Sequence, residues 1–426
     1  MWPAESGGRK GGRDGLKRAV DALRGRYDDL ALLSGLVIGC VVLLALFSEY
    51  RASVITSGDF GIIWCGPRAI LDGADPYVPA SWDAERLRYG MPITNSAVYA
   101  YPPWVAVALL PLGALPFGVA AFTWTAGGIV CAALALRALL HSYAPGLPVV
   151  HALVGFVLLV SQPGVATFFS GQWGFVLVAA VAATAVFARS RRPVAGALST
   201  LVFIAKPQYF VLLGWALLRA YFARRQPRYA LTLLAAGALI LVASITVGRK
   251  AVASWLGAVG PVVAGDQTAT TLSAAFGDLG GDIGVVAAVV VMFAALAIGL
   301  CFDPRGDSWL AVWIPLSSLA ATYARSYDQL VLLPALVIAT GVIARRSKHI
   351  AALFGAGTLA VFALGSILLY AVAASRNRED TSVALTILIF ALIAASQWKW
   401  RRETSPRQVA GEAGQDGVGE RSLRAT

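Results

Sequence analysis

Charge is what this chain has least of. Asp, Glu, Lys and Arg make up 14% of the 426 residues and hydrophobic residues 58%, against about 25% and 45–50% in a soluble globular protein. The deficit excludes a domain folded in water. Cysteine is sparse too: Cys40, Cys65, Cys131 and Cys301 show no metal-ligand spacing, and three of them lie in apolar runs. A free thiol there packs as a small hydrophobe, so neither a disulfide framework nor a zinc site is expected. No Asp-x-Asp pair and no phosphate-cradling glycine loop occurs, which removes the usual machinery for a nucleotide-sugar or nucleotide substrate. No ten-residue segments alternate apolar and polar residues, as a membrane barrel would require. No metal and no cofactor is expected.

What is present is a series of apolar runs of roughly 17–24 residues, the length that crosses about 30 Å of hydrocarbon. The sequence therefore predicts an all-α polytopic membrane protein, a bundle of about 12 transmembrane helices with a helical first extracytoplasmic loop. The net charge of +12 resides in short basic clusters between the runs and in the tails. That is the pattern of cytoplasmic loops; nucleic-acid binding would need a soluble basic domain, and none is present. Residues 1–28 read as a basic cytoplasmic tail, with Arg9, Lys10, Arg13, Lys17 and Arg18. The run that follows lacks a small-residue cleavage site, so it reads as an uncleaved first span.

Threading from an inner N-terminus gives spans at about 29–48, 117–140, 149–169, 172–188, two short pieces within 193–222, then 229–247, 282–301, 308–323, 328–344, 349–372 and 382–400. Residues 29–400 form one transmembrane domain, with outer loops at 49–116 and 248–281. Residues 401–426 read as a disordered cytoplasmic tail. Both termini are expected in the cytoplasm and the protein in the plasma membrane. Segment 103–116 carries Pro103, Pro111 and Pro116 directly after Pro102 and is shorter than a span. It reads as re-entrant or interfacial, since a full span there would invert every basic cluster downstream.

This threading gathers the unusual polar residues at the outer face: Asp59, Gln172, Lys206, Gln208, Arg325, Tyr327 and Asp328. Asp59 opens an amphipathic segment, 59–71, and reads either as a helix cap or as a carboxylate acting on a substrate. Lys206 interrupts an apolar stretch before Pro207. It reads either as a side chain snorkelling to the headgroups or as a cation for a phosphate in a polar cleft. Arg325-Ser326-Tyr327-Asp328 reads as an interfacial charge pair with Tyr327 in the aromatic belt, or with its cation holding a lipid phosphate, and Gln172, after Gly171, as a helix start or a site residue. The histidines are His141, His151 and His349; all thread toward the inner side, which leaves Asp59 as the base candidate. Trp64, Trp82, Trp104 and Trp173 thread near the outer interface, as an aromatic belt or as platforms for sugars.

These residues occur in an order that resembles the polyprenol-phosphate-mannose-dependent mannosyltransferases of glycosyltransferase family 87. The matching pieces are Gly58-Asp59-Phe60, Leu71-Asp72-Gly73-Ala74-Asp75-Pro76-Tyr77, Tyr99-Ala100-Tyr101-Pro102-Pro103, Pro111-Leu112 with Leu115-Pro116, Ser170-Gly171-Gln172, Lys206-Pro207-Gln208 and Tyr327-Asp328. The resemblance covers about residues 45–345. It implies a GT-C architecture, a polyprenyl-phosphate sugar donor with mannose as the sugar, a lipid or glycan acceptor, and an outer-loop aspartate as base, which maps onto Asp59. Tyr101 falls among the matched residues and joins the expected substrate-binding set. Where some members carry a histidine pair, this chain has Asp328-Gln329. The competing reading is a transporter or flippase of a lipid-linked sugar, for which broken helices are common, but no internal repeat is visible.

Overall fold

The apolar runs fold as helices wherever they can be described, and no strand occurs among the described residues. The computed structural model describes residues 8–50, 59–91, 98–263, 272–277, 281–321, 323–376 and 378–402. The first helix, α1 (Gly8–Tyr50), carries the basic tail and the first span as one rod. The helix starts at Gly8, within the stretch read as a basic tail, and residues 1–7 lie outside the described residues. The C-terminal tail beyond Arg402 lies outside the described residues.

The segment expected as the first outer loop contributes α2 (Asp59–Leu71), α3 (Pro79–Arg88), α4 (Pro103–Ala108) and α5 (Leu110–Gly113). The last two answer the question of segment 103–116. They are 6 and 4 residues long, far below a span, and the prolines explain the interruption because each removes an N–H and stops the preceding turn. Then follow α6 (Phe117–Tyr143), α7 (Pro148–Val160), α8 (Gln162–Ser170), α9 (Gly174–Arg189) and α10 (Pro193–Leu201). A 3₁₀ turn (Val202–Ala205) leads to α11 (Pro207–Ala223). The chain continues through α12 (Arg228–Val263), α13 (Leu272–Gly277), α14 (Gly281–Leu300) and α15 (Ser308–Leu319). A second 3₁₀ turn (Ser326–Val331) opens α16 (Leu332–Ala344), and α17 (Lys348–Arg376) and α18 (Val383–Arg402) end the bundle.

The expected twelve spans need correction in kind. Among the described residues seven helices are long and apolar enough to cross a membrane, and the pair α7–α8, bent by 46° at Ser161, makes an eighth if counted as one. The remaining apolar segments are short; α9 has 16 residues and α15 has 12. Their shortness follows from where they sit. Every residue of α15 from Trp309 to Leu319 is buried, as is most of α9, so these helices meet protein along their length and need not match the hydrocarbon thickness. Long α12 and α14, by contrast, expose Leu234, Leu239, Val285 and Phe293 on the outside of the bundle.

Close approach is built with glycine where α1 runs along α7. A Cβ on Gly35 would lie 2.0 Å from the Ala152 carbonyl oxygen, and one on Gly155 2.6 Å from that of Leu32. Small residues let two membrane helices bring their backbones together, where dispersion replaces the hydrophobic driving force that lipid does not supply.

Candidate active site

Polar chemistry concentrates where helices stop short. α9 begins only after Gly171, α10 and α11 are divided at Lys206, and α15 ends before the turn that carries Asp328. Irregular backbone at such depth survives only where protein or water satisfies its freed groups. At the Lys206 break the satisfaction is visible. Pro207 has no N–H, so the Lys206 N–H bonds back to the Phe203 carbonyl (2.9 Å), and the Ile204 carbonyl accepts from Trp104 Nε1 (2.9 Å). A tryptophan of the outer loop thereby latches onto the broken helix.

Asp59 is the first residue of α2, as the sequence predicts. Its Oδ2 accepts from Gln172 Nε2 at 2.6 Å, and Gln172 Oε1 in turn accepts from the Tyr101 hydroxyl at 3.2 Å. Three sequence-expected residues from the α2 start, the loop before α4 and the α8–α9 turn thus form one chain. Gly171 makes it possible. It adopts φ +67°, and a Cβ there would come 2.5 Å from that of Phe60, the neighbour of Asp59. Burial, together with the nearby Asp59 charge, holds the Tyr101 hydroxyl well above its ordinary range, so it stays protonated as a donor. Tyr101 is fixed from its other side by the Tyr77 hydroxyl, which donates to its carbonyl (2.5 Å).

The second half of the site is ionic. Lys206 Nζ pairs with Asp328 Oδ1, with side-chain exposures of 5% and 0%. Lys206 therefore does not snorkel to the headgroups. Its ammonium also lies 4.8 Å from the centre of the Tyr327 ring. Asp328 Oδ2 accepts from the Arg325 N–H (3.0 Å), closing the 3₁₀ turn. The Arg325 guanidinium is about a quarter exposed, bonds the Tyr323 hydroxyl through Nε (3.2 Å) and sits 3.9 Å from Glu379. Gln208 donates to the Tyr323 carbonyl (3.2 Å) and so pins this loop rather than opening into space. The 3₁₀ turn that carries Asp328 packs against α8 and α9, the two helices that flank Gln172, which brings the two halves together.

Sequence reasoning missed Glu379, Tyr323 and Tyr209. Glu379 also accepts the Ser326 N–H (2.7 Å), and Tyr209 is buried beside Asp328. The threading contained a signal for Glu379, since it lies in the acidic pair of the last outer loop. Gln329, standing in place of a family histidine, is structural: it donates to the Ser382 carbonyl (2.5 Å) and ties the turn to α18. Of the tryptophans considered as sugar platforms, Trp82 is fully buried, Trp64 nearly so with its Nε1 on the Leu115 carbonyl, and Trp173 stacks edge-on against Trp124. Those three are core of the outer loop and its seat.

No curated protein and no solved structure matches the chain. The family description Glycosyltransferase family 87 matches residues 99–324, just over half of the chain, and takes in Tyr101, Gln172, Lys206 and Gln208 while stopping short of Arg325. With its several membrane-length helices, this multi-pass protein belongs to glycosyltransferase family 87.

Proposed function

We propose that the protein transfers a hexose, mannose, from a polyprenyl-phosphate sugar to a lipid or glycan acceptor at the outer face of the plasma membrane, with inversion at the anomeric carbon. The observation that carries this reading is the Asp59–Gln172–Tyr101 chain set beside the Lys206–Asp328 pair. Gln172 engages Oδ2 of Asp59, and Oδ1 is the oxygen offered to an acceptor hydroxyl. As that hydroxyl attacks the anomeric carbon, Asp59 takes its proton. The bond from the anomeric carbon to the phosphate oxygen breaks, and the electron pair leaves on the lipid phosphate. A phosphate needs no protonating acid, so one carboxylate suffices where a glycosidase needs two.

Charge that grows on the leaving phosphate requires preorganised donors. Arg325, at the rim and with several N–H groups, is best placed to supply them. Lys206 keeps two N–H donors beyond the one given to Asp328, and with Tyr327 and Gln208 it shapes the phosphate end of the site. Membership of a glycosyltransferase family favours this reading over a flippase. The test is purified protein in proteoliposomes supplied with polyprenyl-phosphate mannose and a candidate acceptor glycolipid. Formation of mannosyl product with inverted stereochemistry, absent in Asp59→Asn, supports the proposal. Turnover in Asp59→Asn equal to that of the parent overturns it.

A further inference from the structure

In the N-terminal half of α1 lies a second polar site, built from none of the residues assigned above to the transfer reaction. A cavity of about 320 Å³ opens between α1, the α6–α7 turn and the start of α17, lined by Asp21, Arg24, Asp28, His141, Gly146 and Lys348 among others. Asp28 in its lining differs in kind from the neighbouring Asp29. Asp29, next in sequence, is fully engaged: Arg137 holds it with two bonds of 2.6 and 2.7 Å, and His141 with a third of 2.7 Å. Asp28 is only 1% exposed; its Oδ2 accepts the Gly146 N–H (2.6 Å), yet its buried Oδ1 has no hydrogen-bond partner. His151 does not relieve it. That imidazole is 3.9 Å from Asp28 Oδ2 and bonds the Ala144 carbonyl instead (3.1 Å). A buried carboxylate oxygen without a donor is costly and calls for a cation.

The mouth of the cavity sets two cations beside the exposed Asp21. Arg24 is exposed and Lys348 is exposed with its Nζ on the Pro145 carbonyl (3.3 Å). An acidic floor under a rim of two cations and one carboxylate matches a zwitterion that leads with an ammonium and trails a phosphate. The surface beside the mouth is apolar and open: Leu23, Tyr27 and Leu30 on α1, Val149 on α7 and Ile350 on α17 are all about half exposed or more. α1 and α17 are both of membrane-crossing length, so this surface meets acyl chains at the level of the headgroups. We propose that the cavity binds the headgroup of a phospholipid bearing a primary amine, of the phosphatidylethanolamine class, with the ammonium on Asp28 Oδ1 and the phosphate between Arg24 and Lys348. A quaternary choline has no N–H to give the carboxylate, and a phosphatidylglycerol has no cation at all, so both should bind less well.

The test is native mass spectrometry of the full chain released from nanodiscs of equal parts phosphatidylethanolamine, phosphatidylcholine and phosphatidylglycerol. Retention of phosphatidylethanolamine over phosphatidylcholine is expected on the order of tenfold, the scale of one charge-assisted hydrogen bond. Asp28→Asn should bring that ratio near one. Arg24→Gln with Lys348→Gln changes only exposed side chains, and should weaken retention of the amine lipid without restoring choline. This variant decides the matter if Asp28→Asn does not fold. Equal retention of ethanolamine and choline lipids by the parent overturns the proposal, as does undiminished retention of the amine lipid by the rim variant. Displacement of the bound lipid by millimolar free phosphoethanolamine would assign the site to a soluble zwitterion and overturn the lipid assignment.

Discussion

Lys206 and Asp328, 122 residues apart in sequence, form an ion pair almost sealed from solvent, with side-chain exposures of 5% and 0%. Neither residue stands in a regular helix. One fills the gap between α10 and α11 and the other a 3₁₀ turn before α16, so the pair joins two breaks in the bundle. Each charge makes the other's burial tolerable.

Removing one partner should therefore cost more than removing both. Lys206→Met is expected to lower stability by about 3–5 kcal/mol, since it strands a buried carboxylate. The double variant Lys206→Met, Asp328→Leu should recover most of that loss. Thermal unfolding in detergent measures both, and a single variant as stable as the parent would show that the pair contributes nothing to the fold.

Asp59→Asn keeps the shape of the side chain and its place at the α2 start, but cannot take a proton. Transfer is expected to fall on the order of 10²-fold or more with folding intact. Gln172→Leu removes the donor that orients Asp59 Oδ2 and should reduce kcat by about tenfold, with donor KM little changed. Single-turnover kinetics on the two variants separate these effects; a Gln172→Leu enzyme with parental kcat would reduce the glutamine to a packing residue.

Gly171→Ala meets two obstacles at once, the left-handed backbone at φ +67° and the Phe60 Cβ at 2.5 Å. The conformation alone costs about 1–2 kcal/mol. Shortening the neighbour in Gly171→Ala, Phe60→Ala should relieve the contact but not the backbone, so activity should return in part while stability stays below the parent. Full recovery in the double variant would mean that the backbone conformation is not under strain.

The outer loop should also report acid. The Tyr89 hydroxyl, helped by Arg68, holds the Asp72 carboxyl below its ordinary range. A carboxyl whose folded value is depressed contributes stability above its unfolded pKa, about 3.9, and loses it as pH falls through the lower folded value. Tyr89→Phe should thus unfold at lower temperature than the parent at about pH 6, and the gap should close toward about pH 3. A gap that does not change with pH would show that Tyr89 acts by packing alone.

Topology is checked by a thiol at Leu87, which is 59% exposed on α3. In Leu87→Cys a membrane-impermeant maleimide should label intact cells. The native Cys65 in the adjacent helix should stay silent, because burial pushes its thiol up to about 12. Labelling of Leu87→Cys only after permeabilisation would reverse the threading and place the Asp59 loop inside.

The sequence determined by itself what local chemistry can determine. Among the described residues hydropathy marked the apolar segments, Pro207 marked the break at Lys206, and Asp59 marked the start of α2, because a missing N–H or an acidic first turn acts within a few residues of itself. The order of short motifs was also enough to indicate the family. The number of full-length spans was not legible, since a 12-residue helix such as α15 is as apolar as a spanning one and only burial in the bundle makes its shortness acceptable. Nor was the pairing of the polar residues. Tertiary structure alone decided that Gln172 serves Asp59 from 113 residues away, and that Lys206 meets Asp328 rather than the headgroups. Charge and hydrogen-bonding capacity are properties of a residue, but the partner that satisfies them is set by which helix ends the packed bundle brings together.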